Sequence, residues 1–230
     1  MRHPGACKGG GQWYNLSDSY DARIARDASK PARARLWCRP KLAAGLALLV
    51  GVGLASFALT LWVERERGSA PRLVNGASPR GAALVVYHPG LQGFQERVTI
   101  AFTDGLAAAG WRVEITTASR VAPGDVSEYD LLVVGSPTYW WQPARPVTDY
   151  LDRLGNLDSK PTVVLVTGSG QGERSTRLLG DKIRVTGGRV IETLTLYAWR
   201  PNAEGVQGNN KQIAADIAYQ AGAAIPPPRP

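Results

Sequence analysis

The sharpest feature of the hydrophobic pattern is Leu42 to Val63, 22 consecutive residues without a charge (LAAGLALLVGVGLASFALTLWV). As a helix rising 1.5 Å per residue the run covers about 33 Å, roughly a bilayer's hydrocarbon thickness. Trp37 and Trp62 near its ends, with Arg39 and Lys41 before it and Glu64 to Arg67 after it, match the residues that favour the lipid–water boundary. No amphipathic segments are available to cover so uniform a rod as a buried core helix. The 41 residues ahead of it are too many for a cleaved signal peptide, so the run predicts an uncleaved, single-pass transmembrane anchor.

From 82 to 223 the pattern changes to short apolar runs separated by helical spacings. The runs AALVVY (Ala82 to Tyr87), WRVEIT (Trp111 to Thr116), DLLVVG (Asp130 to Gly135), PTVVLVTG (Pro161 to Gly168) and RVIETLTLY (Arg189 to Tyr197) predict five strands. Three of them are continuously apolar and β-branched, as strands covered on both faces must be, which implies a parallel sheet. Helices are predicted over Phe94 to Ala109, where Gly110 stops the run, from Pro143 to Leu154 with prolines in the first turn, over Thr176 to Val185, and over Lys211 to Ala221. A further short helix is expected between the second and third strands. Ligands of such α/β sheets bind beyond the carboxyl ends of the strands, where the strand order reverses.

Charge divides the chain in the same way. Residues 1–63 carry 9 Lys/Arg against 3 Asp/Glu, whereas 71–230 carry 16 against 14, so the formal net charge of +8 belongs mainly to the N-terminal arm. A near-neutral domain without interleaved cations and aromatics excludes a nucleic-acid partner. The expected organisation is a disordered basic arm (1–41), the anchor (42–63), a linker (64–81), an α/β domain (82–223) and a proline-rich tail (224–230). Seven cations from Arg23 to Lys41 precede the span and four, Arg65, Arg67, Arg72 and Arg80, follow it. This bias places the arm in the cytoplasm and the domain on the outer side of the inner or plasma membrane. Cys7 and Cys38, the two cysteines, both precede the span, so the domain has neither a disulfide nor a thiolate metal site.

Three strand-end loops carry the candidate chemistry. After the first strand come Gly90, Leu91, Gln92, Gly93, Phe94 and Gln95, a Gly-bearing turn into a helix N-terminus that can gather amides around an anion. After the third come Gly135, Ser136, Pro137, Thr138, Tyr139, Trp140 and Trp141; three successive aromatics in a loop call for something flat to cover. After the fourth come Gly168, Ser169, Gly170, Gln171, Gly172 and Glu173, a loop flexible enough to bring amides to a ligand edge, with Gly168, Ser169 and Gly170 the candidate contacts. His88 is read as a strand-end residue hydrogen-bonded to backbone, in preference to an anion partner or proton donor. No nucleophile–His–acid set, HExxH motif or Walker loop is present.

On these residues, above all Gly135-Ser-Pro-Thr-Tyr-Trp between an apolar strand and a helix, the stretch from Ala82 to Ala221 resembles the flavodoxin-like flavoproteins. The resemblance implies a doubly wound five-stranded parallel sheet of order 2-1-3-4-5 and FMN as cofactor. Tyr139, Trp140 and Trp141 would stack on the isoalloxazine ring. It also implies a departure: the family's phosphate loop reads Ser/Thr-x-Thr-Gly-Asn-Thr, and the matching Gly90 to Gln95 keep a glycine and none of the hydroxyls. The implied activity is electron transfer with a redox protein or a quinone. The alternatives are an NAD(P)H-quinone-type, FMN-dependent oxidoreductase, and a flavin-free scaffold that uses the aromatic loop to bind a protein.

Overall fold

The computed structural model describes residues 33–75, 81–206 and 208–228. Most of the basic arm, residues 1–32 with Cys7, lies outside them, as do 76–80 of the linker and the last two residues of the tail. The chain divides into two units, Met1–Phe57 and Ala58–Pro230. The described part of the first is helix α1 (Arg33–Val63), which continues six residues into the second. Within α1 the stretch Leu42–Val63 has a mean hydropathy of 2.3, and none of its most apolar window is buried. It is long and apolar enough to cross a membrane.

The second unit is an α/β fold around a mostly parallel sheet: β1 (Arg72–Asn75), β2 (Ala82–Tyr87), α2 (Phe94–Ala108), β3 (Arg112–Thr117), β4 (Leu131–Tyr139), β5 (Gln142–Pro143), α3 (Arg145–Leu154), β6 (Pro161–Gly168), α4 (Glu173–Val185), β7 (Arg189–Tyr197) and α5 (Asn210–Ala223). The sheet has seven strands instead of the expected five, and its order, β1-β3-β2-β4-β6-β7 with β5 beside β4, differs from 2-1-3-4-5. The difference comes from two short strands. β1 arises in the expected linker and pairs antiparallel with the open edge of β3, Arg72 opposite Ile115. At four residues it is too short to show an alternation, and an edge with unpaired N–H and C=O groups can recruit it. β5 pairs antiparallel with the end of β4. No helix forms between β3 and β4 among the described residues. The segment holding Pro123 and Gly124 turns repeatedly instead and buries Ala122, Val126 and Tyr129.

β4 also runs on through Gly135 to Tyr139, which the sequence places in a loop. β2 ends opposite Gly135, so Ser136 and Pro137 pair with β6 alone before Thr138 and Tyr139 pair with β5, and Pro137, opposite Thr167, tolerates its missing N–H. Both sheet faces are covered. Val85, Val133 and Leu165 pack with Val98, Phe102 and Ala218 on one side, while Leu84, Val134 and Val164 pack with Val147, Leu151 and Ile183 on the other. Burial of alternate residues in opposite layers explains the uninterrupted apolar strands. α2 and α5 touch backbone to backbone, for a Cβ on Gly105 would lie 2.2 Å from the Tyr219 carbonyl oxygen.

Candidate functional site

The sheet's direction of growth reverses between β2 and β4, and a cleft opens there at the carboxyl ends of the strands. It is a cavity of about 180 Å³ whose walls come from the turn after β2, the end of β4 and the end of β6. Gly90, Leu91, Gln92, Phe94, Gln95, Pro137, Thr138, Tyr139, Gly168 and Ser169 line it together, joined by Thr167 and Ala198. Trp140, Trp141 and Gly170 line a neighbouring groove of about 330 Å³ with Gln171. The two spaces are continuous in their lining, sharing Thr138 and Ser169. Gly93 lines neither; it is the N-cap of α2.

The turn after β2 offers mainly backbone. Gly90 (φ 73°) and Gly93 (φ 64°) take left-handed conformations, and no side chain caps α2, so its first amides face the cleft end of the helix without a side-chain acceptor. Of the two glutamines there, Gln92 is exposed and Gln95 points inward. Gln95 is buried, its carbonyl accepting from Thr167 Oγ1 (2.7 Å) and its amide donating to Thr99 Oγ1 (3.0 Å) and the Leu165 carbonyl (3.3 Å). An anion at this turn would be met mainly by N–H groups and the helix dipole, with the exposed Gln92 in the cleft lining and the Arg67 guanidinium 3.4 Å from the Gly90 carbonyl.

The opposite wall carries the polar atoms that lack partners. Among the described residues, the buried side-chain atoms without a hydrogen bond are Thr138 Oγ1, the Tyr139 hydroxyl and Ser175 Oγ. All three surround one hairpin: Thr138 and Tyr139 end β4, and Ser175 lines a third recess, of about 210 Å³, with Thr138 and Trp141. The Tyr139 hydroxyl and the Pro137 side chain both come close to Gly90, where an added Cβ would lie 3.6 Å from each. Burial pushes this phenol up to about 12, with Arg67 and the facing Leu91 amide acting the other way.

The hairpin itself is strained. β4 and β5 are joined by only Trp140 and Trp141, with φ of 48° and 60°, the conformation of a type I′ turn. Asn and Gly fill such turns; a bulky side chain in the left-handed region costs about 1–2 kcal/mol. The other non-glycine pair at positive φ, Asp158 and Ser159, has turn-forming side chains. Trp140 is 68% and Trp141 51% exposed. The Trp141 indole N–H donates to Gln171 Oε1 across the groove, and that of Trp140 donates to Thr60 Oγ1 (3.3 Å).

His88 bonds to backbone as the sequence suggests: its buried Nε2 lies 3.0 Å from the Val63 carbonyl oxygen and acts as donor. Burial, aided by the Arg67 guanidinium, lowers its pKa to about 4, so it is a neutral strand-end contact and not an anion partner. At the mouth's far end the Glu173 carboxylate is held down at about 2 by the Gly172 amide, with Tyr197, its own amide and Arg200 adding to the effect.

Sequence reasoning missed Thr167 and Ser175, and placed Gln171 in the loop after the fourth strand without giving its side chain a role. Thr167 is the strand residue preceding Gly168 and reads as core. Ser175 stands in the first turn of a helix that begins three residues earlier than its spacing predicts.

No family model matches the chain, and no curated protein does. Among solved structures it is similar to a flavodoxin from the domain Archaea, with 19% identity, a TM-score of 0.49, and 62% of this chain and 96% of that one covered. It is similar to the NAD(P)H:quinone oxidoreductase of Methanothermobacter marburgensis (18%, TM-score 0.47, 63% and 98%). An azoreductase from Bacillus anthracis str. Sterne gives 13%, a TM-score of 0.48, and 63% and 100%.

Proposed function

We propose that the chain is a membrane-tethered, flavodoxin-like electron-transfer protein that binds FMN in this cleft. The observation that carries the reading is the hairpin at the switch point. Orphaned hydroxyls, two exposed indoles and a strained turn meet there beside a helix N-terminus, an arrangement that costs the apo protein stability and gains a use once a flat polar heterocycle covers it. The residues present fit such a group. The amides of Gly90 to Gln95 would face its phosphate, Thr138 with the backbone of Gly168, Ser169 and Gly170 would meet its polar edge, and Trp140 and Trp141 with Tyr139 would give the aromatic wall.

When bound, the flavin supplies the electron chemistry; the chain supplies position and surroundings. Tyr139 stays protonated at neutral pH and can donate one hydrogen bond. Gln171 holds the Trp141 ring across the groove. His88, neutral and engaged with Val63, is no proton source. α1 spans the inner or plasma membrane, with Glu64 to Pro230 outside the cytoplasm, and the redox partner is a protein or a quinone. Titration of the detergent-solubilised full chain with FMN tests the assignment. Trp141→Ala and Tyr139→Ala should each weaken binding by about 1–3 kcal/mol, as aromatic contacts of this size do. Unchanged affinity in both variants rejects the site.

A further inference from the structure

The last residues of the apolar run and those that follow it are sewn to one end of the sheet. Thr60 and Val63, which belong to the folded unit, meet Trp140 and His88. Beyond them the Arg67 guanidinium reaches the Gly90 carbonyl (3.4 Å) and lies 5.7 Å from the centre of the Trp62 ring. Ser69 donates its amide to Thr117 Oγ1 and accepts from Thr116 Oγ1, both at 2.8 Å. His88 follows β2, Thr117 ends β3, and Trp140 follows β4: every one of these contacts is at the carboxyl ends of the parallel strands, the end where the cleft opens.

The exposed side chains at that end have a particular composition. Trp140 and Trp141 follow β4, Leu91 follows β2, Val121 (58% exposed) follows β3, and Trp199 (72% exposed) follows β7. The tryptophan of the domain that lies elsewhere, Trp111, is buried. Arg120, Arg145 and Arg174 begin or follow the same connections, as does Arg200, which pairs there with Glu173 (2.8 Å). Exposed indoles mixed with arginines are what the lipid–water boundary selects, since the ring lies among headgroups while the guanidinium reaches phosphate. A surface for bulk water gains nothing from them.

We infer that the strand-end face of the domain rests on the bilayer that holds the apolar run, with Trp140 and Trp199 seated among the headgroups, so that the cleft opens onto lipid. This rests on α1 spanning the membrane. Joined to the flavin reading above, it narrows the redox partner to a lipid-soluble carrier entering along the membrane surface. A water-soluble protein would have to displace the face from the bilayer.

The test uses the full chain with Cys7→Ser and Cys38→Ser, reconstituted in phosphatidylcholine–phosphatidylglycerol vesicles, with one reporter cysteine carrying a fluorophore. Val121→Cys reports the strand-end face. Val185→Cys, at the last residue of α4 and 85% exposed, reports the opposite end of the sheet. Lipids with a headgroup quencher should remove most of the emission at 121 and little at 185, and an aqueous quencher should do the reverse. Trp140→Ser with Trp199→Ser should return the 121 reporter to the aqueous quencher. Equal aqueous access at both positions, or lipid quenching confined to 185, overturns the inference. Because no flavin is read, failure here leaves the cofactor assignment standing, and failure of FMN to bind leaves this result interpretable.

Discussion

Replacing Trp140-Trp141 by Asn-Gly should make the protein more stable and a poorer flavin binder. The turn holds both tryptophans in the left-handed region, at about 1–2 kcal/mol each, whereas Asn and Gly adopt it at little cost. Against this relief of about 2–4 kcal/mol stand two hydrogen bonds, Trp140 to Thr60 and Trp141 to Gln171. In so exposed a place they are worth about 0.5–1 kcal/mol each. The added glycine costs a further 0.5–1 kcal/mol, roughly, in unfolded-state entropy. The net expectation is a gain of about 1 kcal/mol, which for a unit of this size raises the melting temperature by about 2–4 °C. Thermal melts of the flavin-free full chain in detergent, paired with FMN titrations, provide the measurement. The expected pairing is a higher midpoint with FMN affinity reduced about tenfold or more. A variant destabilised by about 1 kcal/mol or more would show that the indoles hold the hairpin together by packing, and the argument from stored strain would fall.

Two further outcomes follow from the same geometry. His88 binds no proton in the folded state until pH nears 4, while the unfolded chain takes one near 6.5; the unfolded state therefore binds more protons in between, and stability falls as pH drops through that window. The full loss is on the order of 3 kcal/mol, and His88→Gln, which keeps a donor for Val63, should flatten the stability profile from pH 6.5 to 4; an unchanged slope refutes the assignment. Because Gly90 to Gln95 offer amides without hydroxyls, riboflavin should bind within about tenfold of FMN, and a loss of a hundredfold or more, about 2.7 kcal/mol, would reveal a strong phosphate site.

The elements that bury both faces were legible in the chain because they leave no choice: VV and LLVV runs between helical spacings fit a covered parallel strand and little else. What escaped was set by tertiary context. Arg72–Asn75 is a strand because β3 offers a free edge, which no local pattern announces. Gly135-Ser-Pro-Thr-Tyr carries two strong loop signals, yet the ladder to β6 extends it. The cleft was read through its glycines and aromatics, and the structure gathers Gly90, Pro137, Tyr139 and Ser169 around one cavity. It also separates Trp140 and Trp141 into an adjoining groove and turns Gln95 into the core. Side-chain direction of that kind depends on the neighbour met, here Thr99 and Thr167, and sequence spacing does not encode it.

The central claim is that the switch-point cleft holds FMN. The most direct measurement is the absorption spectrum of the full chain purified in mild detergent, followed by heat release and identification of any pigment. Flavin bands in the purified protein, or their uptake on adding FMN, with FMN in the supernatant after heating, is the predicted result. A colourless protein that takes up no FMN at concentrations well above those that saturate flavin sites would contradict it and leave the Trp140–Trp141 face as a binding surface without a cofactor.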